Sequence, residues 1–70
     1  VIFLIKNNLL NLRLERKYKK QKDFAAFLGI SESYYNKLEN NKSVMTVDTL
    51  FQIAKKLNID INEIVFEEEQ

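Results

Sequence analysis

At 70 residues and 8.3 kDa the chain has room for one domain with a small core. It has no Cys and no His, which excludes disulfide staples, Cys/His zinc sites and histidine catalysis, while 46% hydrophobic residues, one Gly and no Pro point to a compact, mostly helical domain. The net charge of +1 is too small for a non-specific coater of nucleic acid, but it hides an asymmetry: residues 1–22 carry seven cations against the single acid Glu15, and residues 23–70 four cations against nine acids.

The chain opens on Val1 to Ile5, its longest apolar run. The run is too short to cross a bilayer or form a secretory core, so the expected location is cytoplasmic. These residues are β-prone, as are Ile64, Val65 and Phe66 near the other end. The two segments either pair as a two-stranded ribbon over the helices, add to a partner chain, or leave residues 1–6 as a loose arm.

A first helix is expected from about Asn8 to Lys17, with Leu9 and Leu12 facing inward and Tyr18 a further candidate. A second runs from Gln21 to Leu28, with Phe24, Ala25 and Leu28 on one side, and stops at Gly29, suited to a left-handed residue. Ser31 is an N-cap for a third helix whose inward positions are Tyr35 and Leu38 and which Asn40 and Asn41 end. Thr46 caps a fourth with a wide apolar stripe of Val47, Leu50, Phe51, Ile53, Ala54 and Leu57. Asp60 followed by Glu63 reads as a capping box opening a short fifth helix with Ile61 and Ile64. The expectation is an all-α fold of five short helices in one domain, 1–70, closed by an acidic tail over 66–70.

The aromatic residues Phe24, Phe27, Phe51 and Tyr35 recur at helical spacing, which argues for core packing over a base-stacking platform. Lys55 and Lys56 suit the C-terminal end of the fourth helix. Asp60, Glu63 and Glu67 to Glu69 lack the spacing of an oxygen-ligand loop, so no metal or other cofactor is expected. No nucleophile–base pair or phosphate-cradling glycine loop is present, and the chain does not read as an enzyme.

The window 21–40, QKDFAAFLGISESYYNKLEN, carries the functional signal. Two helices that cross steeply need a small residue where they touch, a glycine at the turn and apolar residues facing back from the second helix. Ala25, Gly29, Tyr35 and Leu38 stand at those places, and the outer face of the second helix is left free to enter a major groove.

In these residues the chain resembles the phage-repressor-like (Cro/CI, XRE) helix-turn-helix domains. The resemblance extends from about Asn8 to Val65. It rests on Gln21, on Leu28-Gly29-Ile30-Ser31, on Leu38-Glu39-Asn40-Asn41-Lys42 and on Thr49 to Leu57 (TLFQIAKKL). It implies a transcription regulator that binds double-stranded DNA sequence-specifically, acting as a repressor dimer on a palindromic operator. Gln21, Glu32, Ser33, Asn36 and Lys37 fall at base-reading positions, and Lys20, Lys22, Tyr34, Asn40 and Lys42 at phosphate-contacting or flanking ones. Asn41 stands where glycine is usual and Met45 where proline is common, and Tyr18 occupies the place of a core leucine. A symmetric dimer would double a contact too short to specify a site alone. Its surface is expected at Ile2, Leu4, Ile61, Ile64 and Val65. No membrane or small-molecule partner is indicated. A second reading is a protein-interaction module on the same fold, such as an antitoxin neutralising a toxin, which the near-neutral recognition face and acidic tail favour.

Overall fold

A computed structural model describes residues 3–69. Strand β1 (Phe3–Asn7) leads into helices α1 (Leu9–Glu15), α2 (Gln21–Leu28), α3 (Glu32–Glu39) and α4 (Val47–Leu57), a 3-10 turn over Ile61–Glu63, and strand β2 (Val65–Glu69). The two strands pair antiparallel, with Phe3 opposite Glu69, Ile5 opposite Glu67 and Asn7 opposite Val65. Of the open alternatives for the chain ends, the intramolecular ribbon is the one adopted.

Local chemistry accounts for the helix boundaries. The Ser31 hydroxyl accepts from the Tyr34 amide at 3.1 Å, and the Thr46 hydroxyl from the Thr49 amide at 3.2 Å, each satisfying an amide that has no partner within its helix. Gly29 ends α2 in the left-handed region with φ 82°, and Asn58 ends α4 at φ 57°. A side chain at Gly29 would meet a second obstacle, because an added Cβ would lie 2.9 Å from Nε2 of Gln52. That Gln52 nitrogen donates to the carbonyl of Leu28 at 2.8 Å, fastening α4 to the turn between α2 and α3. Asn41, in place of the usual glycine, also takes a positive φ, 59°.

Asn7 joins three elements. Its Oδ1 accepts from the Leu9 amide at 3.1 Å, opening α1, and its Nδ2 donates to the Leu38 carbonyl at 2.7 Å, at the end of α3. Its own backbone lies in β1.

The core is one cluster, built from Leu9 and Leu12 of α1, Phe24, Ala25 and Leu28 of α2, Tyr35 and Leu38 of α3, Ile53, Ala54 and Leu57 of α4, and Ile64. Tyr18 packs against its edge, 5.1 Å ring to ring from Phe24 and 5.7 Å from Phe27.

The structure corrects several expectations. Among the described residues there are four α-helices, and the fifth expected helix is a single 3-10 turn. Its capping box is present, with Glu63 Oε2 accepting from the Asp60 amide at 3.0 Å, but the chain enters β2 two residues later. The first helix ends at Glu15 because Lys17 takes a left-handed φ of 68°. The acidic residues Glu67 to Glu69 are strand, not tail. The stripe on α4 is too wide for the surface available to it: Ile53, Ala54 and Leu57 are buried, whereas Val47 and Phe51 remain 66% and 50% exposed. Phe27 lies outside the buried core, 38% exposed. Ile64, expected at a dimer surface, is fully buried in the core and has nothing to offer a partner.

Candidate nucleic-acid interface

The interface is built on a buried ion pair. Arg13 follows Leu9 and Leu12 at the spacing of the inward face of α1, so its side chain enters the interior (8% exposed). A buried guanidinium must find acceptors for its donors. Nε donates to Glu39 Oε2 at 3.0 Å and Nη2 to Glu39 Oε1 at 3.2 Å, while Nη1 donates to the carbonyls of Tyr18 (3.1 Å) and Lys19 (2.7 Å). Burial pushes the Glu39 carboxyl up, but hydrogen bonds from Arg13 and Gln21 outweigh it and hold the group below the usual carboxylate range. The Tyr35 phenol is driven up by its burial and by the adjacent carboxylate, so it stays protonated and donates to the Leu9 carbonyl.

From Glu39 the network reaches the surface. Gln21 Nε2 donates to Glu39 Oε1 at 2.9 Å, and Asn36 Nδ2 donates to Gln21 Oε1 at 2.9 Å. The first residue of α2 is thereby linked to the outer face of α3.

Gln21, Glu32, Ser33, Asn36 and Lys37 together line one shallow, open depression of about 330 Å³ on that face. These are the five residues expected at base-reading positions. Glu32, Ser33, Asn36 and Lys37 are exposed and Gln21 is half-buried. Glu32 also sits in the first turn of α3, where a carboxylate suits the helix dipole. Of the residues expected to touch phosphate, Lys20 precedes α2, Lys22 lies in its first turn, and Asn40 and Lys42 follow α3; all four are exposed. Tyr34 is half-buried against the core.

Residues 9–64 match the family model described as helix-turn-helix. The chain belongs to the XRE-type helix-turn-helix family. This helix-turn-helix chain is 33% identical over 54 residues to the ImmF control region 10 kDa protein of Bacillus phage phi105, covering 77% of its own length and 60% of that relative's. It is also 33% identical over 58 residues to the control protein C.MunI of a Mycoplasma species, covering 83% of its own length and 78% of the relative's. DNA-binding transcription regulation is the general character of that family. No helix among the described residues is long and apolar enough to cross a membrane.

The Arg13–Glu39 pair was not anticipated from the sequence, although a signal existed. A cation at the i+4 position of an apolar face calls for a buried anion, and Glu39 stands four residues after the inward Tyr35. The expected dimer residues are scattered: Leu4 is exposed on β1, Ile61 and Val65 are half-buried, Ile64 is core, and Ile2 lies outside the described residues.

Proposed function

We propose that the chain is a sequence-specific regulator that binds a palindromic operator in double-stranded DNA as a homodimer and represses transcription, working in the cytoplasm without a cofactor. The observation that carries the reading is the open depression that Gln21, Glu32, Ser33, Asn36 and Lys37 form together. Short polar side chains and one lysine on an exposed helix face are the groups that reach base edges in a major groove. Lys20, Lys22 and Lys42 flank that face as phosphate contacts, which set register while the depression sets sequence.

The dimer forms through β1. Each strand of the ribbon has one edge without a strand neighbour among the described residues. The edge of β2 carries Glu67, Glu68 and Glu69, so two β2 strands would set like charges against each other. Two β1 strands joined antiparallel leave those acids on the outside, pair the open backbone edges and set the exposed Leu4 and Ile5 beside the neighbouring strand.

The test is selection from a random duplex pool with purified protein at two salt concentrations. A two-fold symmetric consensus with half-sites about one helical turn, roughly 34 Å, apart supports the reading. Weak binding without consensus that vanishes at moderate salt overturns it, and favours the protein-interaction module on the same fold.

A further inference from the structure

Hydrogen-bond polarity runs in one direction from the interior to the recognition face. The Arg13 guanidinium only donates, so the Glu39 carboxylate must accept from it. A carboxylate so held only accepts, which obliges the Gln21 amide to turn its nitrogen toward Glu39. The Gln21 oxygen is then the atom left for Asn36, and Asn36 answers with its nitrogen. The amide of Asn36 therefore has its Oδ1 turned away from Gln21, on an exposed residue lining the depression. One N–H of Asn36 is occupied, leaving the acceptor oxygen and the second N–H.

We propose that the chain of bonds from Arg13 through Glu39 and Gln21 fixes the Asn36 amide in the orientation that selects adenine, making Asn36 a specificity-determining residue and Gln21 its positioning residue. The inference rests on the DNA-reading function above. Adenine alone offers a donor (N6) beside an acceptor (N7) on its major-groove edge, matching the oxygen and N–H that Asn36 retains. Guanine offers two acceptors there and meets the Asn36 oxygen with an acceptor of its own. Thymine offers O4 and a methyl group, and cytosine a single donor. Gln21 contributes to specificity through Asn36, because each end of its amide is oriented by a bond within the protein, Nε2 to Glu39 and Oε1 from Asn36.

The experiment uses pool selection followed by competition binding on single-base variants of the recovered site, with wild type, Asn36→Ala, Gln21→Met and the double variant. Gln21→Met keeps the length of the side chain and removes both polar ends, and Asn36→Ala is an exposed change in a helix that alanine favours. Circular dichroism melts establish that each variant is folded. Wild type should prefer adenine roughly tenfold or more at one position of each half-site. Asn36→Ala should lose that preference at that base pair and keep the others. Gln21→Met should relax the same base pair, and the double variant should lose no more than Asn36→Ala alone. A purely structural role for Gln21 would lower affinity for all sites alike and leave this preference intact. A consensus without that adenine, Gln21→Met relaxing a different base pair, or effects of the two substitutions that multiply, overturns the assignment while leaving the DNA-reading function standing. Should Gln21→Met not fold, Asn36→Ala decides: relaxation of an adenine position upholds the assignment, and relaxation of any other base overturns it. Absence of any consensus overturns the DNA-reading function and the assignment with it.

Discussion

Arg13 grips Glu39 from across the core through two parallel hydrogen bonds, Nε to Oε2 at 3.0 Å and Nη2 to Oε1 at 3.2 Å, with both side chains under 10% exposed. Removing one partner strands the other in a poorly solvated site, so Glu39→Ala should cost about 3–5 kcal/mol. The paired change Arg13→Met with Glu39→Met should cost less than either single change. The acid dependence follows from Glu39, whose carboxyl is held below its ordinary value. In the window between its folded and unfolded values the native state binds fewer protons, so stability rises with pH there. This contribution is complete above the ordinary carboxylate range and is lost as pH falls through the depressed native value. Urea denaturation from neutral pH downward should show a shallower acid decline for the double methionine variant than for wild type.

Gly29 should resist replacement for two separate reasons, its φ of 82° and the Gln52 amide where a Cβ would lie. The left-handed strain alone costs about 1–2 kcal/mol for an alanine. Gly29→Ala should lower the melting temperature by about 4–8 °C for each kcal/mol lost. An unchanged melt would refute the account of this turn.

Ile64→Ala tests the reassignment of that residue from the surface to the interior. Deleting a fully buried isoleucine costs about 2–5 kcal/mol. The loss should appear in the denaturation midpoint at every protein concentration. A defect confined to subunit association would return Ile64 to the interface.

Leu4→Lys addresses the ribbon edge. Leu4 is 41% exposed, so a lysine there should leave the helical circular dichroism signal unchanged. Sedimentation should shift toward the monomer, and operator affinity should fall with it. An unaltered sedimentation profile removes β1 as the dimer surface.

Lys37 and Lys42 should separate in their effects on binding. Lys37→Ala should relax the base preference, at a cost of about 1–3 kcal/mol in discrimination. Lys42→Ala should weaken binding to all sequences alike and reduce the salt slope by about one. Identical behaviour of the two variants would erase the distinction between reading and clamping residues.

Features decided within a few residues of themselves were legible in the sequence. Ser31, Thr46 and Gly29 act on helix ends next to them, and four of the five residues of the depression, Glu32, Ser33, Asn36 and Lys37, share one turn-to-turn spacing on α3. The rest depends on partners far along the chain. Glu39 is 26 residues from Arg13, and only packing brings α1 against α3. Whether Phe51 is covered depends on what lies opposite α4, which its periodicity does not specify. Ile64 reads as one more apolar residue of a short amphipathic helix. The 3-10 turn instead points it inward, and the strand that follows closes over the space a fifth helix would need. Lys17 carries no mark of the left-handed backbone it adopts.

Asn7 ties the ribbon to α1 and α3. Its single amide supplies the acceptor at the start of α1 and the donor at the end of α3. A polypeptide that began just after Asn7 would retain every residue of the helix-turn-helix, yet lack the side-chain bond to the Leu9 amide that opens α1 and the one that reaches the Leu38 carbonyl at the end of α3.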